Sequence, residues 1–143
     1  MHALGFWTGT VAIENQLVKC TSDHLGDHIR VRRKSLNLKQ VDVAKLIGVC
    51  EDTITGWENS RSHPQICHYP TIICFLGYNP FSFDTNTLGG YIKAYRIEKG
   101  ISQEKLAEMI SVDATTVLSW EQNKHKPSAR QLSKLLLLGI AQK

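Results

Sequence analysis

The sequence lacks the features that mark membrane, secreted and catalytic proteins. Its longest apolar run is the five residues at 72–76, far short of the roughly 20 residues that a membrane-spanning helix needs. The first 20 residues show neither the cationic start nor the long apolar core of a secretory signal. No glycine-rich phosphate loop is present, and no Ser/His/Asp, Cys/His or paired-carboxylate set recurs along the chain. We therefore expect a cytoplasmic protein that has no cofactor, no membrane partner and no enzymatic activity.

Cysteine is sparse, with four residues and no Cys-x-x-Cys spacing. This pattern predicts neither disulfides nor a metal site, and reduced thiols are expected. Four potential zinc ligands do fall close together, in a spacing that fits no standard zinc finger. They are His63, Cys67, His68 and Cys74. The simpler interpretation makes Cys74 a small core residue on a helix and places the histidines in an exposed loop.

What the chain does contain is an internal repeat. Residues 25–64 align with residues 88–127 at a constant offset of 63, without a gap and with 12 of 40 positions identical. Two copies are too few for a solenoid, whereas two domains of about 55 residues suit the length. The boundaries expected from this repeat are an N-terminal extension at 1–22, domains at 23–78 and 88–143, and a linker at 79–87. For the extension, a disordered arm, a partner-binding segment and an early start codon stay open as explanations.

Each copy is predicted to form short helices only. Asn37 and its counterpart Gly100 suit the left-handed conformation that often ends a helix, and Ser102 and Ser128 suit helix N-caps. Four consecutive leucines cannot all face one small core. Either some pack on the first copy, or some are exposed and form a dimer surface.

The middle of each copy carries a more specific pattern. The stretches LNLKQVDVAKLIGVCEDTITGWENSRSHP and GISQEKLAEMISVDATTVLSWEQNKHKP share a glutamine, an alanine four residues later, a turn valine and a Trp-Glu ending followed by a basic residue and proline. This pattern resembles the Xre family of helix-turn-helix regulators, which includes lambda-type repressors and Cro. The resemblance implies an all-α fold of two tandem lambda-repressor-like domains, each with four to five short helices. Ser111 departs from the usual turn glycine, and Glu51, Asp52 and Gly56 are unusual on the presumed base-facing side.

The resemblance also implies roles for particular residues on double-stranded DNA, the expected partner. The third helix of each domain would face the bases in the major groove, and the second would cross the phosphate backbone. The base-facing set is Glu51, Asp52, Thr55, Ala114, Thr115, Leu118 and Ser119. The phosphate-contacting set is Arg33, Lys39, Gln40, Arg61, Gln103, Lys124 and Lys126.

The two copies differ in charge. Residues 24–78 hold seven Lys/Arg against five Asp/Glu, while residues 88–143 hold nine against five. Because Glu51 and Asp52 would repel nearby phosphates, the second copy is expected to dominate DNA affinity. The expected function is a sequence-specific transcriptional regulator, a repressor that acts by promoter occlusion, with a homodimer as one assembly. The alternative is a protein-interaction module, antitoxin-like or a co-regulator, in which one or both domains do not contact DNA.

Overall fold

A computed structural model describes residues 19–140 of the chain. Most of the expected N-terminal extension, residues 1–18, and the last three residues lie outside the described part. Residues 19–140 contain helices and no strand, which confirms the expected all-α fold. The helices are α1 (Leu25–Ser35), α2 (Gln40–Ile47), α3 (Glu51–Glu58), α4 (Tyr69–Leu76), α5 (Leu88–Lys99), α6 (Gln103–Ile110), α7 (Ala114–Glu121) and α8 (Ala129–Leu137), with a 3-10 turn at Ile66–His68 before α4.

The chain divides into two compact units. The first runs to Pro64 and resumes over Thr71–Pro80, and the second takes Gln65–Pro70 together with the chain from Phe81 onward. Each unit has its own apolar core, built around the tryptophan of its third helix. Trp57 is 4% exposed and Trp120 is 3% exposed. Both tryptophans therefore stabilise the fold rather than face a partner.

The first three helices of each unit keep the repeat register. Helices α1, α2 and α3 begin 63 residues before α5, α6 and α7. The connection that follows is longer in the first copy, at 59–68 against 122–128. The fourth helices therefore fall out of register.

Several helix ends follow the expected local chemistry. Ser102 accepts a hydrogen bond from the Lys105 backbone N–H, and Ser128 accepts one from that of Gln131. Asn37 and Gly100 both have positive φ, at 56° and 68°. Two different residues therefore end α1 and α5 in the same left-handed conformation.

A close approach between the first and third helices explains one pair of identical glycines. A Cβ added at Gly26 would lie 1.9 Å from the Trp57 carbonyl oxygen, and one added at Gly89 would lie 2.4 Å from that of Trp120. Neither separation is possible for real atoms, so only glycine lets α1 pack on α3 and α5 on α7 in this way.

The turn between the second and third helices is the same in both units. Gly48 has φ 86° and Ser111 has φ 58°. The Val49 and Val112 backbone N–H groups each donate to the carbonyl oxygen four residues before the turn glycine or serine, at 2.9 Å. Serine thus occupies a left-handed position that costs a non-glycine residue roughly 1–2 kcal/mol.

Two side-chain expectations need correction or completion. Cys74 lies on α4 but is exposed, because it points away from the core formed by Ile72 and Phe75. Of the four leucines, Leu135 is buried, whereas Leu136 and Leu137 are 48% and 88% exposed.

The start of the described chain is attached to the first unit. The Cys20 backbone N–H donates to the Tyr78 hydroxyl, which also lies 2.6 Å from Nδ1 of buried His28. Nε2 of His28 faces the Ser22 carbonyl oxygen at 2.7 Å. Since a carbonyl can only accept, Nε2 carries a proton. The segment at 20–22 is therefore held by a partly buried polar network.

Candidate nucleic-acid interface

The third helix of the second unit presents an uncharged outward face. Val117 and Trp120 point into the core, so Thr115, Leu118 and Ser119 lie on the other side of α7. Thr115 is exposed, Leu118 is 39% exposed and Ser119 is half-buried. Ala114, also predicted to face bases, instead packs partly against the core. Small polar groups and one large aliphatic side chain therefore form this surface.

The matching helix of the first unit is chemically different. Glu51 and Asp52 are exposed at the start of α3. The Thr55 hydroxyl is used inside the unit, because it lies 2.8 Å from Oε1 of Gln40 and 3.1 Å from the Glu51 carbonyl oxygen. Gly56 was expected on the outward side but is buried, since Ser62 lies over it within 2.7 Å of the place where a Cβ would be.

A buried ion pair joins the first helix of each unit to the end of the third. Arg33 donates to both carboxylate oxygens of Glu58, at 2.7 and 2.9 Å. Arg96 donates to those of Glu121 at 2.5 and 3.1 Å. The four side chains are between 2% and 13% exposed. The hydrogen bond to Glu58 raises the pKa of Arg33 above its ordinary value, so this guanidinium keeps its charge at any pH used for proteins.

The glutamine that begins the second helix completes each ion pair. Nε2 of Gln40 donates to Glu58 at 2.9 Å, and Nε2 of Gln103 donates to Glu121 at 2.7 Å. Because a carboxylate can only accept, this contact fixes the amide with its nitrogen toward the glutamate. In the first unit the amide oxygen of Gln40 accepts a hydrogen bond from the Thr55 hydroxyl. Among residues 19–140, none donates to the amide oxygen of Gln103.

These contacts narrow the set of candidate phosphate contacts. The Arg33 guanidinium donates to Glu58 and to the Leu38 carbonyl oxygen, so all three of its nitrogens are used inside the unit rather than presented to a phosphate. Each glutamine keeps one amide hydrogen that its bond to the glutamate does not use. The remaining cations are exposed as expected: Lys39, Arg61, Lys124 and Lys126.

Sequence reasoning missed Glu58 and Glu121. It assigned them only to a Trp-Glu signature, although they organise both units. A signal existed, because Arg, Gln and Glu are identical between the copies, with the arginine 25 residues and the glutamine 18 residues before the glutamate. Such a shared triplet of complementary polar side chains predicts a contact.

Within the part of the chain that the structure describes, no group of three or more His, Cys, Asp or Glu side chains could hold a metal ion. The four potential zinc ligands are therefore not gathered into a site. No helix of that part is long and apolar enough to cross a bilayer.

Comparison with known proteins agrees with this geometry. A family model described as helix-turn-helix matches residues 29–80 and again residues 92–138. The chain belongs to this family. The two matches confirm the expected tandem arrangement of helix-turn-helix units, α2–α3 and α6–α7.

One curated relative is a phage protein. Repressor protein C2 of Salmonella phage P22 is 39% identical to this chain over 41 residues. The aligned segment covers 29% of this chain and 19% of the phage protein, so the chain spans less than a fifth of that relative's length. No solved structure matches this chain.

Proposed function

We propose that this chain is a sequence-specific repressor that binds double-stranded DNA and acts by promoter occlusion. The observation that carries the proposal is the second unit's α7, whose uncharged outward face adjoins an exposed basic loop containing Lys124 and Lys126. The phage relative is named a repressor protein, which supports the proposed role in repression.

The basic loop and the outward face of α7 have different roles in DNA binding. Lys124 and Lys126 attract phosphates, which supplies affinity that falls with salt and carries no sequence information. Thr115 and Ser119 can donate to or accept from base edges in the major groove. A bound unit would cover promoter DNA and exclude polymerase, which is the simplest route to repression.

The test is selection of duplexes from a random DNA pool with the full chain at near-physiological salt, run beside a Thr115→Ala, Ser119→Ala double variant. We expect one enriched motif with the natural chain and a weaker or altered motif with the variant. The same motif at the same strength from both would remove α7 from sequence recognition. No enrichment and no salt-sensitive binding would contradict the proposal itself.

The proposed dominance of the second unit has a matched test. Arg61 and Lys124 occupy the same repeat position, and both are exposed. Changing Lys124 to Ala should lower affinity and reduce the slope of log K against log salt by about 0.9, as expected for one lost phosphate contact. Arg61→Ala should do less. Equal losses would contradict the asymmetry.

A second candidate function is favoured by the first unit's α3. Its outward face is acidic at Glu51 and Asp52, and Thr55 is already bonded within the unit. Such a face suits a protein partner better than a polyanion, so the first unit would act as an interaction module. Binding of the enriched duplex that is unchanged by Glu51→Gln, Asp52→Asn would support this division. A tighter or altered DNA preference in that variant would place α3 on DNA instead.

The proposal includes a homodimer. Leu136 and Leu137 form an exposed apolar surface on α8, and a second copy of the chain would bury it. Sedimentation at micromolar concentration should show a dimer that Leu137→Lys weakens. A monomer at every concentration would remove the dimer from the proposal.

A further inference from the structure

Leu118 lies in the middle of the outward face of α7, which carries no charge. Thr115, Leu118, Ser119 and Gln122 follow the spacing i, i+3, i+4 and i+7, which places them on one side of a helix. Val117 and Trp120 are buried on the other side. Leu118 is 39% exposed on a surface where its neighbours are polar, so nothing in the described unit covers it fully.

A leucine in the major groove has few favourable neighbours. Its side chain neither donates nor accepts hydrogen bonds, and the C5 methyl group of thymine is the largest apolar group that the base edges present there. A polar base edge covered by leucine would lose water without a replacement partner, which costs free energy. Contact with a thymine methyl instead removes two apolar surfaces from water.

The first unit lacks this feature at the same repeat position. There Thr55 replaces the leucine, and its hydroxyl is bonded to Gln40. Leucine cannot make that bond, so in the second unit the aliphatic group stands alone on the outward face. Any selection of an apolar base feature at this position therefore belongs to the second unit.

We propose that Leu118 is a specificity-determining residue that selects thymine, and hence an A·T base pair, through the C5 methyl group. This inference rests on the proposed DNA-binding function. It adds the chemical class of base pair that the second unit requires at one position of its site.

The experiment compares thymine with deoxyuridine, which lacks only the C5 methyl group. Each thymine of the duplex enriched by the full chain is replaced singly, and affinity is measured by fluorescence anisotropy. At one or two positions we expect binding to weaken about fourfold, the effect of one buried methyl-sized group. With Leu118→Ala the ratio of thymine to deoxyuridine affinity at those positions should fall to about one, whereas Leu118→Met should keep most of it.

Leu132→Ala is the matched control, because Leu132 is another exposed leucine of the same unit, on α8 and outside the proposed dimer surface of Leu136 and Leu137. It should leave the ratio unchanged, and circular dichroism checks that each variant is folded. The inference is overturned by normal DNA binding with no thymine preference, by a preference that survives in Leu118→Ala, or by an enriched motif without an A·T pair. Absence of any salt-sensitive DNA binding overturns both the inference and the proposed function, so the two failures are distinguishable.

Discussion

The buried ion pair of the second unit allows a prediction with a large expected effect. Changing Glu121 to Gln keeps the shape of the side chain but removes its charge. Arg96, whose side chain is 9% exposed, then holds an uncompensated charge inside the unit. Removing one partner of a buried pair typically costs 3–5 kcal/mol. A unit of this size is expected to be stable by only about 3–8 kcal/mol, at roughly 0.05–0.15 kcal/mol per residue.

Glu121→Gln should therefore remove most of the stability of the second unit. Hydrogen exchange read by mass spectrometry measures this locally, because peptides from α5 to α8 report the opening free energy of that unit. The slowest of these peptides should lose about 3–5 kcal/mol of protection. Glu58→Gln, the matched change in the first unit, should have a similar effect on peptides of α1 to α3.

A double variant separates the charge from the packing. Arg96→Met with Glu121→Leu removes both charges and fills the space with apolar side chains, and it should recover most of the protection that Glu121→Gln loses. A loss of less than about 1 kcal/mol in Glu121→Gln would refute the argument. It would show that the ion pair is accessible to water and contributes no more than a surface salt bridge.

Three further predictions follow from local geometry. Gly48→Ala should lower the free energy of unfolding by about 1 kcal/mol, because the space around Gly48 is open and only the left-handed backbone is strained. Ser111→Gly should leave the free energy of unfolding unchanged or raise it by up to about 1 kcal/mol. Thermal unfolding measures both. The hydrogen bond from Thr53 lowers the pKa of the exposed Cys50 thiol, so a larger fraction of Cys50 should be thiolate at a given pH. In a protein whose other cysteines are removed, Cys50 should therefore be alkylated faster than in the same protein with Thr53→Val. Tyr78→Phe should lower the free energy of unfolding by about 1–3 kcal/mol, since it leaves Nδ1 of buried His28 and the Cys20 backbone N–H without the hydroxyl that they contact.

Each of these has an outcome that would contradict it. A stabilising Gly48→Ala would mean that the turn does not hold its left-handed conformation. An alkylation profile that shifts to lower pH in Thr53→Val would reverse the assigned direction of the Cys50 shift. A Tyr78→Phe protein as stable as the natural chain would mean that Cys20 and His28 find water instead.

Much of the fold could be predicted because its signals are local. Caps at Ser102 and Ser128, left-handed ends at Asn37 and Gly100, and apolar periodicity each depend on residues within one or two turns of helix. The repeat also showed the pattern of the first three helices of each unit twice. The exposure of Cys74 was predicted wrongly, because helical spacing does not tell which of two flanking positions faces the core.

The candidate site was less predictable because its decisive contacts join distant residues. Periodicity placed Arg33 on the first helix but gave no means to choose between solvent, phosphate and Glu58, which lies 25 residues away. Gly56 looked outward by helical spacing, yet the following loop folds back and covers it with Ser62. Roles on DNA for the remaining residues stay predictions.

The sequence by itself determined that two copies of a small helical unit exist, where their helices begin and end, and which family pattern they carry. Those properties follow from short-range backbone preferences and from a periodic apolar pattern. Only the tertiary structure decided which polar groups are used internally. Packing α1 on α3 and α5 on α7 buries the arginine and glutamate together, and burial requires the charges to pair. The same packing leaves Leu118 outside, where it is available to a partner.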